Sequence, residues 1–226
     1  GMVDRAAALL ERGFDTLKLK VGALDFEQEL ECLQAIRSIA PAEKVTLRLD
    51  ANGGLDDGDV AVTLRKLERL AAFDIHSMEQ PVKPGQWKKM QSICADSAIP
   101  IALDEELIGV HDTTLRRNML HVIQPAFVIL KPSLIGGFVE ANHWIDLAAE
   151  VGAKWWATSA LESNIGLNAI AQWAADATLE DPDPIPQGLG TGSLFTDNIP
   201  SPLVVEGGTL RMETDRPKGH PADPPP

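Results

Sequence analysis

Apolar positions along this 226-residue chain switch repeatedly between two periods. Residues 3–12 (VDRAAALLER) carry helical spacing and stop at Gly13. Residues 16–21 (TLKLKV) alternate every second position, which predicts a strand. Helical spacing returns over 24–39, with Leu30, Leu33 and Ile36 on one side. VTLRLDA (45–51) is the next strand, closed by the turn signal Asn52-Gly53-Gly54. A helix over 59–72 and a strand over 74–81 (DIHSMEQP), cut short by Pro81, follow. The rhythm continues with strand 100–105, a weaker helix around 111–120, strand 127–133 and helix 138–151. Strand 154–161, helix 166–177 and a last short strand over 185–192 complete it. Residues 202–212 read as a small hairpin turning at Gly207-Gly208.

Strict alternation of strands and helices predicts an α/β fold with a parallel sheet, and apolar runs such as FVIL predict burial on both faces. An open sheet and a closed barrel both satisfy that pattern. Five charged residues separate the two. Lys20, Asp50, Glu79, Asp104 and Lys131 each end a strand and recur about every 25–30 residues, the length of one β/α unit. In an open sheet six strand ends spread over roughly 25 Å. Closure into a TIM-type (β/α) barrel brings all five to one mouth. The count is seven strands, one short of the eight of such a barrel.

The bulk composition fits one soluble globular domain over residues 2–212. Charged residues make up 23% and hydrophobic ones 44%. A formal net charge of −13, with no basic stripe, excludes a nucleic-acid partner. No apolar run reaches membrane-spanning length, so no membrane partner is expected. Cys32 and Cys94 fall in predicted helices without disulfide or C-x-x-C spacing, which suits a reducing, cytoplasmic setting. Residues 213–226 are Pro-rich and form a C-terminal tail outside the core.

Asp50, Glu79 and Asp104 offer three carboxylates from three successive strands. Hard oxygen donors of this kind favour Mg²⁺, or Mn²⁺, with further positions left for water or substrate oxygens. Lys18 and Lys20, two apart on one strand, point to the same side. Each disfavours the other's charge, so the pair is expected to depress its own pKa and to free one lysine as a general base. Lys131 stands across the mouth. With a divalent cation the pocket is net positive and suits a small anionic carboxylate substrate.

These residues are recognisable. TLKLKVG, LRLDANGG, MEQP, ALDEE and LKPSLIGG resemble the enolase superfamily, in particular its muconate-lactonizing subgroup. Within it, residues 159–175 and 188–203 are most similar to o-succinylbenzoate synthases. The resemblance implies that Asp50, Glu79 and Asp104 bind Mg²⁺, which holds the substrate carboxylate and stabilises an enediolate. It implies that Lys20 abstracts the proton α to that carboxylate, that Lys131 supports the charge from the opposite face and that Lys18 tunes Lys20. Asn52 then lines the pocket, while Ser159 and Gly188 hold the succinyl end. Loss of water would give the aromatic o-succinylbenzoate of menaquinone biosynthesis. N-Acylamino-acid racemase activity is the alternative, because it uses the same two lysines. The Asp-x-Asp of dipeptide epimerases is replaced here by Gly188-Leu189-Gly190-Thr191.

Members of this superfamily carry an N-terminal capping domain and a first barrel strand before the K-x-K strand. This chain starts in the helix before K-x-K, which accounts for the missing eighth strand and leaves two sheet edges unpaired. Self-association or a separately encoded N-terminal capping segment is therefore expected. A second expectation is that the chain binds metal without turning over substrate. Light scattering at micromolar concentration should report a mass above that of one chain, and a strictly monomeric profile contradicts self-association.

Overall fold

The computed structural model describes residues 1–190 and 195–213 of the chain. The expected tail lies, from residue 214 onward, outside the described residues. Among the described residues sixteen α-helices and β-strands, with a 3-10 turn over Glu105–Leu107 besides, follow the predicted alternation closely. They begin with α1 (Met2–Glu11), β1 (Thr16–Lys20), α2 (Phe26–Ile39), β2 (Thr46–Asp50), α3 (Val60–Ala71) and β3 (Ile75–Glu79). Next come α4 (Trp87–Asp96), β4 (Ile101–Leu103), α5 (Thr113–Ile123) and β5 (Phe127–Leu130). The chain then passes through α6 (Pro132–Ile135), α7 (Phe138–Glu150), β6 (Lys154–Ala157) and α8 (Asn164–Ala177). It ends in the hairpin β7 (Leu203–Glu206) and β8 (Thr209–Met212).

β1 to β6 form one parallel sheet in sequential order. On the outer face Leu17, Leu19, Leu47, Leu49, Val128 and Leu130 are buried beneath the helices. Leu33 and Ile36 of α2, Leu67 and Leu70 of α3, and Trp144 and Leu147 of α7 belong to the same buried core. The inner face is buried too, and its residues show that the sheet is curled. The Arg48 guanidinium on β2 lies 4.1 Å from the ring centre of Trp156 on β6. Four strand spacings in a flat sheet would separate those strands by roughly 19 Å. His76 stacks on Phe127 at 5.0 Å, and Phe127 meets Trp156 at 5.3 Å, closing the floor of the half-barrel. The register carries the stagger that accompanies strand tilt in a barrel. Lys20, Asp50 and Glu79 pair side by side, whereas Glu79 pairs with Ala102, so Asp104 stands one pleat higher.

Three elements differ from the sequence reading. The strand expected over 127–133 ends at Leu130, because Pro132 takes the first position of α6, where its missing N–H costs nothing. Helix α4, which carries Cys94, fills an interval for which the pattern set no bounds. The seventh strand expected over 185–192 contributes, among the described residues, a single parallel bridge from Thr158 to Gly188. Pro184 and Pro186 cannot donate to a ladder, and the amide of Ala157 bonds to the Gln187 side chain at 2.6 Å instead of to a strand backbone. Among the described residues no helix is long and apolar enough to cross a membrane, and Cys32 and Cys94 are both free thiols.

The loop after Lys20 is fixed by one buried carboxylate. Glu29, 5% exposed, accepts from the amides of Gly22, Ala23 and Leu24 at 2.6, 3.0 and 3.1 Å. Removing that acceptor leaves three amides short of a partner. Glu29→Ala should therefore cost about 2 kcal/mol or more in denaturant unfolding, and Glu29→Gln, which keeps one acceptor oxygen, should cost less.

Candidate active site

Strand alternation places Lys18 and Lys20, Arg48 and Asp50, and Ser77 and Glu79 on the inner face of neighbouring strands. Asp104 follows β4 and Lys131 follows β5. Asp50 and Glu79 are 1% exposed and Asp104 is 2% exposed, so three acids are withdrawn from water at one end of the sheet. Burial of that much charge requires compensation. The lysines supply it. Lys18 Nζ donates to Asp50 Oδ2 at 2.9 Å and to both Glu79 oxygens at 3.1 Å. Lys20 Nζ donates to the same Asp50 oxygen at 2.6 Å and to the side-chain oxygen of Asn52. Lys131 pairs with Asp104 Oδ2. The structure thus brings together Lys18, Lys20, Asp50, Asn52, Glu79, Asp104 and Lys131, all of them singled out from the sequence.

The electrostatics follow from this packing. Burial, reinforced by the neighbouring charges of Asp50 and Asp104, pushes the Glu79 carboxyl up to about 9, with Lys18 opposing. Burial also works against the ionised form of Asp50, but Lys18 and Lys20 outweigh it and hold that carboxyl below its ordinary value. The expectation of a depressed lysine is reversed at Lys18. Burial lowers its pKa, yet Glu79 and Asp50 more than offset burial and raise it. The sequence reading weighed only the lysine neighbour and not the carboxylates across the strand.

Oxygen donors on three adjacent strands are the donor chemistry of a hard divalent cation. Among the described residues no three Asp, Glu, His or Cys side chains are arranged as a metal-holding group, and Lys18 bridges Asp50 and Glu79. The fit is therefore one of donor type and burial. A cation binding here must take over charge compensation that the lysines now provide.

Ser159 and Gly188 are placed differently. The Ser159 hydroxyl donates to Glu162 Oε2 at 2.7 Å and accepts from the Leu161 amide at 2.9 Å. Glu162 also holds Ser133 Oγ at 2.5 Å, so it ties α6 to the loop after β6. Gly188 lies so close to Thr158 that a Cβ there would meet its Oγ1 at 2.8 Å. Among the described residues neither Ser159 nor Gly188 hydrogen-bonds to the charged cluster. A cleft of about 520 Å³ runs between Phe14, Leu189, Leu203 and Leu210, at the opposite end of β1 from Lys20.

Three residues escaped the sequence reading although their motifs were in view. Gln80 of MEQP is fully buried in the left-handed region, φ 41°. Its side-chain oxygen accepts from the amides of Asp104 and Glu106 at 3.3 Å, and its nitrogen donates to Val82 O at 2.9 Å and Glu106 at 3.0 Å. It thereby anchors the backbone that presents Asp104. Arg48 of LRLD, 4% exposed, donates to Pro186 O at 2.9 Å beneath the acids. Glu105 of ALDEE accepts from Asn52 Nδ2 at 2.6 Å. Period-two spacing to Asp50 was the signal available for Arg48. None marked Gln80 or Glu105, since an acid or amide beside a strand end is usually solvated.

The Glu79 shift has a stability consequence. A carboxyl raised above its unfolded value stabilises the fold while protonated, and that contribution is lost as pH rises toward the folded value. In chelator-treated protein, unfolding free energy should fall between pH 7 and 9 with a slope of at most about 1.4 kcal/mol per unit, and Glu79→Gln should flatten it. His76, lowered by burial and by the Arg48 and Lys154 charges, changes protonation below this window. A wild-type slope equal to that of Glu79→Gln contradicts the assignment.

Comparison with known proteins converges on the same reading of the fold. The family model described as Enolase C-terminal domain-like matches residues 1–219. The o-succinylbenzoate synthase of Desulfotalea psychrophila is 48% identical over 209 residues, which are 92% of this chain and 55% of that protein. The crystal structure of MenC from the same organism superposes with a TM-score of 0.83 at 47% identity, over 92% of this chain and 55% of that one. The L-Ala-D/L-Glu epimerase of Bacillus subtilis is 29% identical over 77% of this chain and 46% of its own length. The chain spans about half the length of the curated relatives it matches. With its curled parallel sheet and its matched sequence, this chain belongs to the Enolase C-terminal domain-like family of the enolase superfamily.

Proposed function

We propose that this chain carries the chemical half of an o-succinylbenzoate synthase, a hydro-lyase acting on a small carboxylate in cytoplasmic menaquinone biosynthesis. The observation that carries the reading is the row of three buried acids flanked by Lys20 on β1 and Lys131 after β5. The 48% identity to a protein of that name supports the choice within the family. Asp50, Glu79 and Asp104 would hold the Mg²⁺, or Mn²⁺, that the family resemblance implies. A bound divalent cation supplies neutralisation of the negative charge that develops on the substrate carboxylate.

The residues divide the work that remains. Lys20 Nζ takes the proton α to the carboxylate. Asp50 and Asn52 aim that nitrogen. Lys18, kept charged by Asp50 and Glu79, lends a fixed positive charge beside Lys20. Lys131 presents its ammonium to the developing enediolate from the other side. Lys20 then returns its proton to the departing hydroxyl, so one water leaves and one C=C bond completes the aromatic ring. Ser159 and Gly188 shape the loops where the succinyl end would lie, Ser159 through its bond to Glu162.

A second reading, N-acylamino-acid racemisation, is favoured by the fact that each of the two lysines has its own carboxylate partner, Asp50 for Lys20 and Asp104 for Lys131. The two reactions share the first proton transfer. The test is incubation of the chain with Mg²⁺ in D₂O, once with the precursor acid that yields o-succinylbenzoate on loss of water and once with an N-succinylamino acid. Dehydration of the former, lost about a thousandfold in Lys20→Ala and abolished by chelation, is the expected result. α-Deuteration of the amino acid alone favours racemisation, and neither product nor deuteration leaves a chain that binds metal without catalysis.

A further inference from the structure

Lys20 is held by two acceptors, and the second of them is itself held in place. Besides Asp50 Oδ2 at 2.6 Å, its ammonium donates to the side-chain oxygen of Asn52. A carboxamide accepts at one end and donates at the other, and the two ends are nearly the same shape. What faces them decides which way the group lies. An ammonium can only donate. On the far side of Asn52 stands Glu105 Oε1, 2.6 Å from Nδ2, and an ionised carboxylate can only accept. One orientation of the amide satisfies both neighbours, and the flipped one sets N–H against ammonium and oxygen against carboxylate.

Two further observations single out Glu105. The Asn52 backbone sits in the left-handed region, φ 43°, with its amide bonded to Asp50 Oδ1 at 3.1 Å, so the side chain is launched from a fixed point. Glu105 Oε2 is buried and makes no hydrogen bond among the described residues. Its carboxylate is thus committed to Asn52 through Oε1 at the desolvation cost of the other oxygen. Glu105 touches neither Lys20 nor the buried row of acids through any hydrogen bond among the described residues.

We propose that Glu105 is a positioning residue: by locking the Asn52 amide in one orientation, it fixes the Lys20 nitrogen between Asp50 and Asn52. The proposal rests on the reading of Lys20 as the base for its functional meaning, and on the Glu105–Asn52–Lys20 chain of contacts for its geometry.

The two parts are tested separately in the full chain carrying Glu105→Ala, Glu105→Gln or Asn52→Leu. The geometry is read without turnover, by competitive acetylation with limiting acetic anhydride and mass-spectrometric comparison of Lys20 with the exposed Lys44. Glu105→Ala and Asn52→Leu release one acceptor from Lys20 and should raise its labelling ratio about tenfold. Glu105→Gln keeps a carbonyl acceptor for Asn52 Nδ2 and should label like wild type. Catalysis is read as α-proton exchange with Mg²⁺ and the precursor acid. In Glu105→Ala the turnover number should fall about tenfold, with KM, Mg²⁺ affinity and melting temperature held, and Glu105→Gln should restore it. Unchanged Lys20 labelling in Glu105→Ala overturns the proposal. Loss of Mg²⁺ affinity or melting temperature in step with exchange also overturns it, since Glu105 is then a structural residue. If labelling responds as stated while wild type exchanges no proton, the positioning contact stands and the assignment of Lys20 as base fails.

Discussion

Everything at the mouth of this half-barrel depends on compensating the charge of Asp50, Glu79 and Asp104. These acids are almost wholly withdrawn from water on neighbouring strands. Each ionised and unpaired group would cost several kcal/mol. The sheet meets that demand from its own inner face, with Lys18 and Lys20 one strand before the row and Lys131 one strand after it. The raised pKa of Glu79 marks where compensation is least complete, because it stands between two other acids. In this structure the ammonium groups of Lys18, Lys20 and Lys131 supply the compensation that a divalent cation would have to replace.

Curling of the sheet and rigidity of its loops serve the same end. The contact between Arg48 and Trp156 draws β2 toward β6, and His76, Phe127 and Trp156 pack together as an aromatic floor. Above the floor, three polar side chains tie the functional segments. Glu29 secures the turn after Lys20, Gln80 the strand end at Asp104, and the half-buried Glu162 joins α6 to the loop after β6. Glu29 and Gln80 act on backbone amides, and Glu162 acts on two serine hydroxyls and the Ala160 amide, so together they fix where the strand-end side chains begin.

The architecture was legible because its signals are periodic. Alternating periods of two and about 3.6 located the sheet strands and most of the helices, and the recurrence of Lys20, Asp50, Glu79, Asp104 and Lys131 pointed to one mouth. What escaped depends on contacts that have no period. Gln80 acts from a left-handed turn, Glu105 through the far end of an amide, and Arg48 from beneath the acids. The pKa direction of Lys18 was misread for the same reason, since it is set by Glu79 across two strands rather than by Lys20 nearby in sequence. Among the described residues, 185–190 of the expected seventh strand contribute one bridge, because prolines remove ladder donors where the pattern alone still reads as strand.

The central claim is that the buried acids form one cation site whose charge the lysines hold in reserve. Calorimetric titration of Mg²⁺ into chelator-treated protein, repeated at pH 8 in two buffers of different ionisation enthalpy, tests it most directly. The account predicts a single site that releases protons on binding, as Glu79 ionises and is displaced from Lys18, with both binding and release removed in Asp50→Asn. Absence of binding, or binding that releases no proton and survives Asp50→Asn, would contradict it.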